Sequence, residues 1–156
     1  LGNGLPKHLF SYTTNFSYDK FYLSLYFVGA AGFDVFNSKR LWYENTTNSP
    51  SNYFTSILDS PNNALNDRLR FSDYYLENGS FLRLDNVTFG YNFNKFKHLK
   101  LIGIYFTATN ILNITGYSGL DPEVGSGTGD GLTPGWDQRY FYPRSSTYQL
   151  GVNVNF

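Results

Sequence analysis

The final stretch of the chain, Ser145 to Phe156, reads SSTYQLGVNVNF and alternates between apolar and polar side chains. The apolar positions are Tyr148, Leu150, Val152, Val154 and Phe156, and the positions between them are Thr147, Gln149, Gly151, Asn153 and Asn155. Because successive side chains of a strand point to opposite faces, this stretch predicts a strand with one apolar and one polar face.

Four segments upstream repeat the alternation, so the sequence predicts five strands. These lie at residues 9–18, 21–37, 81–93, 101–113 and 145–156. The third changes phase, because Leu82 and Leu84 are out of step with Val87 and Phe89, and this predicts either a bulge near Asp85 or a strand that leaves the membrane there. The connections alternate in length, with short turns at 19–20 and 94–100 and long loops at 38–80 and 116–144.

The order of these connections favours a membrane barrel. Outer-membrane barrels join their strands by short periplasmic turns and long extracellular loops, so we expect both long loops outside and the C-terminus on the periplasmic side. Five strands cannot close a bacterial barrel, because such barrels have even strand numbers from about 8 upward and lipid does not tolerate open sheet edges. The predicted fold is all-β, an antiparallel transmembrane β-barrel of which this chain supplies the last five strands.

The composition suits a barrel but also another class of β-protein. Aromatic residues make up 20% of the chain and charged residues 15%, the latter below the roughly 25% of ordinary soluble domains. Interfacial aromatic girdles give barrels this composition. Exposed aromatic side chains give it to carbohydrate-binding domains, so a soluble secreted β-sandwich that binds carbohydrate is the alternative.

Several functional classes are disfavoured by what the sequence lacks. The formal net charge is +0 and no basic stripe is present, which argues against nucleic acid as a partner. There is no cysteine for a disulfide or a thiolate metal site, and no apolar run long enough for a transmembrane helix. Residues 1–7 read as a loop and not as a signal peptide, so we expect a mature chain or a fragment.

Five short motifs occur in a fixed order along the chain. They are Ser80 to Leu84 (SFLRL), Phe89 to Tyr91 (FGY), Asn110 to Leu112 (NIL), Tyr117 to Glu123 (YSGLDPE) and Tyr142 to Gly151 (YPRSSTYQLG). In this order they resemble the C-terminal end of the SusC/RagA family of TonB-dependent outer-membrane transporters from Bacteroidetes. The YSGLDPE run between two strands is the most specific of them, whereas any single motif would be weak.

The resemblance implies a function that the residue pattern alone does not reveal. It implies a barrel of about 22 strands around a plug domain, integral to the Gram-negative outer membrane, that imports glycans or oligopeptides. The implied partners are the rest of the same barrel and its plug domain, a SusD-like surface lipoprotein, TonB through an N-terminal part, outer-membrane lipid and the barrel-assembly machinery. Phe156 is the implied C-terminal assembly signal.

The sequence offers no convincing catalytic or nucleotide site. His8 and His98 have no carboxylate or nucleophile at a telling spacing, and the glycine series at 125–131 lacks a phosphate-binding pattern. Asp121 and Glu123 are paired carboxylates, but the Asp-Pro sequence predicts a turn. We therefore predict that the protein is not an enzyme and holds no organic cofactor.

Calcium is the one cofactor that the sequence permits. Four carboxylates in the 116–144 loop supply the oxygen ligands that this cation prefers: Asp121, Glu123, Asp130 and Asp137. Their spacing is not that of an EF-hand, so a structural role in the loop is the competing interpretation.

Aromatic side chains in the two long loops are the candidate contact residues. They are Trp42, Tyr43, Tyr53, Tyr74, Tyr75, Trp136, Tyr140 and Tyr142. They would serve as an interfacial girdle or as loop packing, or they would contact substrate or the lipoprotein. On the other face of the strands, the polar set expected to face the lumen or the plug is Tyr105, Thr107, Thr109, Gln149, Asn153 and Asn155.

Overall fold

The computed structural model describes residues 2–45, 52–58, 69–93, 101–124, 133–140 and 142–155. The chain divides into two compact units. The strand unit comprises residues 9–29, 81–114 and 144–156, and the loop unit comprises residues 1–8, 30–80 and 115–143. Across the described ranges, no helix has the length and apolar character needed to cross a membrane.

The strands are numbered in chain order. They are β1 His8–Tyr18, β2 Phe21–Ala31, β3 Asp34–Asn37, β4 Leu76–Asn78, β5 Phe81–Phe93, β6 Leu101–Thr115, β7 Trp136–Asp137 and β8 Thr147–Asn155. One sheet has the order β1-β2-β5-β6-β8, and a second, smaller sheet has the order β4-β3-β7. The helical elements are α1 Ser38–Tyr43 and the short 3-10 helices Thr55–Leu58 and Asp73–Tyr75.

The pairing of β6 with β8 separates apolar from polar side chains. The two strands are antiparallel, and Ile104 lies opposite Val152 while Thr107 lies opposite Gln149. Leu150 is 77% exposed and Val152 is 60% exposed. The five-stranded sheet therefore presents an uncovered apolar face, as the alternation predicts.

The opposite face of this sheet is polar and is packed by tyrosine rings over glycines. The ring of Tyr105 covers Gly151, and the ring of Tyr22 covers Gly90, where a Cβ atom would overlap the ring. The β6–β8 register puts Tyr105, Thr107, Thr109, Gln149, Asn153 and Asn155 on one face. The shared face of this predicted polar set is thus confirmed.

Strand β5 changes phase as predicted. Leu82 and Phe89 are both exposed although they differ in parity. Arg83 is buried, and the Thr88 hydroxyl lies 3.0 Å from the Thr107 hydroxyl on the polar face. Phe81 and Arg83 are buried near the start of β5 and Gly90 is buried near its end, so the parity of the buried positions changes along the strand.

The predicted strand at 21–37 is wrong as one element. Strand β2 ends at Ala31, and β3 begins at Asp34 in the other sheet. Between them Gly32 has φ +76°, a conformation that side chains with a Cβ rarely adopt, and its N–H donates to the Ser80 hydroxyl at 3.1 Å. The small residues that read as a continuing strand instead allow the chain to turn into the loop unit.

The region predicted as a long irregular loop, 38–80, contains regular structure. Strand β3 pairs antiparallel with β4, with Val35 opposite Glu77, and parallel with β7, with Phe36 opposite Trp136. The loop unit has its own buried apolar core, which includes Val35, Leu41, Ile57, Tyr75 and Tyr117.

Candidate functional site

Helix α1 begins the polar network of the loop unit. Asn37 ends β3 and caps the helix, because its Oδ1 accepts a hydrogen bond from the Arg40 N–H at 3.1 Å. The cap places Ser38, Lys39 and Arg40 in the first turn, directly after a buried strand. A short helix of this kind depends on such tertiary contacts, because isolated helices of its length are not stable in water.

Asp137 is the first centre of the network. Its side chain is 0% exposed and lies 3.0 Å from the Lys39 ammonium, while the Tyr117 hydroxyl donates to its other oxygen at 2.6 Å. The Ser38 hydroxyl donates to its backbone carbonyl. Burial, together with the hydrogen bond to Asp137 and its charge, raises the pKa of Tyr117 far above its ordinary value, so this hydroxyl stays a donor.

Glu77 is the second centre. Its Oε2 accepts the Ser118 N–H at 2.8 Å, and its Oε1 accepts bonds from the Ser118 hydroxyl at 2.8 Å, Arg40 at 2.9 Å and Asn37 at 3.1 Å. Burial by itself would raise the pKa of Glu77. The hydrogen bonds to its charged form outweigh burial and lower that pKa below its ordinary value.

Arg40 joins this centre to Glu44. The Arg40 Nε lies 2.9 Å from a Glu44 oxygen, which also accepts the Ser56 hydroxyl at 2.7 Å. Burial would lower the pKa of Arg40, but its bonds to Glu44 and Glu77 raise it above the ordinary value. The cation is therefore permanently charged and serves to hold α1 against β4.

The YSGLDPE motif supplies this network with two of its donors. Tyr117 donates to Asp137 and Ser118 to Glu77, while Gly119 leaves room for the Tyr117 ring. Asp121 accepts the Glu123 N–H at 2.9 Å, which confirms the turn expected at this Asp-Pro sequence. The motif that carries the family resemblance thus shapes the loop unit.

A cavity of ≈ 620 Å³ opens beside the network. Its lining includes the charged residues Arg40, Glu44 and Glu77 and the apolar residues Phe54 and Leu120. The volume is that of a small-molecule pocket, which in proteins typically combines apolar walls with a few polar groups. Both carboxylates in the lining are already engaged, because Glu44 and Glu77 each form an ion pair with Arg40 at 2.9 Å.

Three of the predicted contact residues are brought together by an arginine that the sequence did not single out. The guanidinium carbon of Arg139 lies 5.3 Å from the ring centroid of Trp42, 5.3 Å from that of Tyr43 and 5.4 Å from that of Tyr140. Its Nε donates to the Tyr43 hydroxyl at 3.1 Å. We call these four residues the arginine cluster.

Two other predicted contact residues pack on Phe36 in the loop unit, and of these Tyr75 is buried and Trp136 is half-buried. Tyr75 is 5% exposed and packs on Phe36, with ring centroids 6.3 Å apart. Trp136 packs on the same ring at 5.0 Å and on Phe71 at 5.6 Å. The burial of Tyr75 agrees with loop packing, one of the alternatives predicted for these aromatic residues.

The remaining predicted residues are exposed to different degrees. Tyr53, Tyr74 and Tyr142 are exposed, and the Arg40 guanidinium lies 5.1 Å from the Tyr74 ring centroid. Phe156, predicted as the assembly signal, lies outside the described residues.

Sequence reasoning missed Asn37, Lys39, Arg40, Glu44, Glu77 and Arg139. Only the Asn37-Ser38 pair after a strand carried a usable signal, that of a helix N-cap.

The carboxylates predicted to bind calcium have separate roles in the structure. Asp137 contacts Lys39 and Tyr117, and Asp121 closes a turn, while Asp130 lies outside the described residues. Among the residues that the structure describes, no three acidic or histidine side chains are grouped for metal binding. Calcium in the 116–144 segment stays a prediction.

Comparison with known proteins identifies relatives along the whole chain. The TonB-dependent receptor SusC of Bacteroides thetaiotaomicron is 42% identical over 90 residues, which is 54% of this chain and 8% of the receptor. Two TonB-dependent receptors of Formosa agariphila align with 100% of this chain, at 27% identity over 17% of the one and 31% identity over 18% of the other. No protein-family model matches the chain.

A solved structure shares the fold. The RagAB peptide importer in its "closed-closed" state superposes on 98% of this chain with a TM-score of 0.81 and 24% identity, and the match covers 18% of that chain. This likeness confirms the prediction of an all-β barrel fold, while the assignment to the last five strands stays a prediction. This chain spans less than a fifth of the length of the curated relatives that it matches, at most 18%.

Proposed function

We propose a function that proceeds from family membership: this chain belongs to the SusC/RagA family of TonB-dependent outer-membrane transporters, and it forms part of the barrel through which a nutrient is imported. It is a transport protein and not an enzyme. The chain corresponds to a small part of its relatives, so the activity described below belongs to the whole transporter.

The observation that carries this proposal is the segregation of side chains across β6 and β8. From Ile102 to Thr109, the apolar residues of β6 lie opposite apolar residues of β8 and the other positions lie opposite polar residues or glycine, and the apolar face is exposed along β8. Monomeric soluble proteins rarely expose a continuous apolar sheet face, because its burial is the main driving force of folding. A lipid bilayer covers such a face, and the polar face then lines the interior of the barrel.

The soluble sandwich alternative is disfavoured by the same observation. A sandwich covers the apolar face of each sheet with the other sheet and makes its core there. In this chain Tyr148, Leu150 and Val152 stay exposed. The fold shared with RagAB is that of a transporter and not that of a sandwich.

The proposed transport involves several partners. The rest of the barrel closes the sheet at β1 and β8, and the plug domain contacts its polar face. A SusD-like lipoprotein covers the extracellular side, TonB supplies the energy through another part of the transporter, and the barrel-assembly machinery inserts the chain. We place the loop unit on the extracellular side, where it helps to contain a glycan or an oligopeptide. Calcium in this unit is kept as a secondary proposal.

The membrane placement is tested by spin labels on β8 of the full-length transporter in lipid. Single labels at Leu150 and Val152 are expected to collide with dissolved oxygen, which concentrates in the bilayer. Matched labels at Gln149 and Asn153 are expected to be shielded from lipid. Equal oxygen accessibility on the two faces would contradict the barrel.

The transport activity is tested in cells. A strain that lacks the transporter gene is compared with its parent for growth on neutral oligosaccharides, acidic oligosaccharides and short peptides as sole nutrients. Loss of growth on one class, restored by the gene and abolished by removal of TonB, is the expected result. Growth unchanged on every class would overturn the import function.

A further inference from the structure

We propose that the arginine cluster binds the carboxylate of an acidic solute. The inference rests on the proposed function, because a solute must reach the loop unit from the external medium. Arg139 takes the carboxylate, while Trp42 and Tyr140 receive the ring or apolar part to which it is attached. Acidic sugars and peptides share this chemistry, and the experiment below separates them.

The first support is the state of the Arg139 guanidinium. Its Nε is used by the Tyr43 hydroxyl, but its two terminal nitrogens make no hydrogen bond within the described ranges. Among the described residues, no carboxylate forms an ion pair with Arg139. Lys39 and Arg40, in contrast, both form ion pairs with buried acids. Arg139 therefore presents the planar fork that binds a carboxylate through two parallel hydrogen bonds.

The second support is that the fork is held in place before any ligand arrives. Three aromatic rings lie within 5.4 Å of the guanidinium carbon. Asp137, two residues earlier, is anchored in β7 by Lys39 and Tyr117. A cation fixed by ring contacts and by the backbone loses little entropy on binding, which favours affinity for small ligands.

The third support is the exposure of the flanking rings. Tyr140 is 85% exposed and Trp42 is 37% exposed, although both are large apolar groups that folding ordinarily covers. Trp, Tyr and Arg are the side chains that most often dominate binding surfaces. Exposed rings beside a guanidinium that forms no ion pair among the described residues suit a ligand that has both an apolar face and a negative charge.

The test measures solute binding by isothermal titration of the purified full-length transporter in detergent. The probes are a uronic-acid oligosaccharide and its neutral counterpart, and a short peptide with a free C-terminal carboxylate and its amidated counterpart. We expect one acidic probe to bind at least about tenfold more tightly than its neutral counterpart. The acidic probe that does so identifies the source of the carboxylate.

Variants then assign the effect to the cluster. Arg139→Gln is expected to remove the preference for the acidic probe, and Arg139→Lys to weaken it, because an ammonium lacks the fork. Tyr140→Ser, at a side chain that is 85% exposed, is expected to weaken acidic and neutral probes alike. Arg70→Gln, an exposed arginine outside the cluster, is the matched control and should change nothing.

The outcomes separate this inference from the proposed function. Equal affinity for charged and neutral probes, or an unchanged preference in Arg139→Gln, overturns the carboxylate site while the spin-label and growth results still support import. If Arg139→Gln does not assemble, the test rests on Arg139→Lys, whose preference for the acidic probe should be weaker than that of the unmodified transporter. Failure of the spin-label experiment removes the proposed function itself.

Discussion

The loop unit buries both apolar and charged side chains, whereas the strand unit buries few side chains of either kind. Among the described residues, the loop unit buries charged groups such as Lys39, Glu44 and Asp137 beside an apolar core. The strand unit leaves most of its large apolar side chains exposed, with Phe81 and Ala108 as its buried apolar residues. The loop unit therefore carries its own interior, whereas the strand unit depends on what surrounds it.

This difference shows where each unit gets its stability. Buried charges are tolerated only when they are paired and hydrogen-bonded, and the centres at Asp137 and Glu77 meet that condition. In the proposed barrel, the apolar face of the strand unit is stabilised by contact with lipid. Substitutions in the two units should consequently respond to different environments.

The largest expected effect is the loss of the Asp137 charge. Asp137→Asn leaves the buried Lys39 ammonium without this carboxylate, which should lower the local free energy of unfolding by about 3–5 kcal/mol. Hydrogen exchange of residues 34–45 in the full-length transporter measures the change. The double variant Lys39→Met with Asp137→Asn is the control and should recover part of the loss. Unchanged protection in the single variant would contradict a stabilising ion pair.

The next effect concerns lipid contact in the strand unit. Val152→Arg puts a charge on the apolar face and should cost about 2–4 kcal/mol if the position lies at the bilayer midplane. Asn153→Arg, one residue away on the polar face, should be far milder. Folding of the full-length barrel into vesicles over a urea series measures both variants. Equal costs at the two positions would remove the distinction between the faces.

A smaller effect is expected where a tyrosine covers a glycine. Gly151→Ala places a Cβ against the Tyr105 ring and should cost about 1 kcal/mol, because the ring must move from its packed position. Gly116→Ala is the matched control, since nothing lies within 4 Å of its added Cβ. The same urea series compares them. A cost in the control as large as that in Gly151→Ala would assign the effect to glycine replacement alone.

The smallest effect is a pH dependence in the loop unit. The pKa of Glu77 is lower in the folded chain than its ordinary value of 4.5. Its stabilisation is therefore fully present above that value and is lost as the pH falls through the lowered folded pKa. Protection of the Ser118 amide, corrected for intrinsic exchange, should drop in that range. The Glu77→Gln variant should show no such drop.

Prediction from the sequence succeeded where the physical cause is local. Alternation located β1, β5, β6 and β8 close to their observed bounds, and the conflict between Leu82 and Phe89 revealed the phase change of β5. It failed at Gly32, because small residues are compatible both with a continuing strand and with a turn. The regular elements within 38–80 were missed because they are short and pair with distant segments.

The sequence by itself determined the two faces of the strands, since a period of two residues is a property of the extended backbone and needs no partner. Only the tertiary structure decided which polar residues meet. Ser38 and Asp137 are 99 residues apart in the chain, and Tyr43 and Arg139 are 96 apart. Contacts between residues so far apart in the chain produce no periodic pattern in the sequence, because they form only when β3, α1 and β7 pack into one unit.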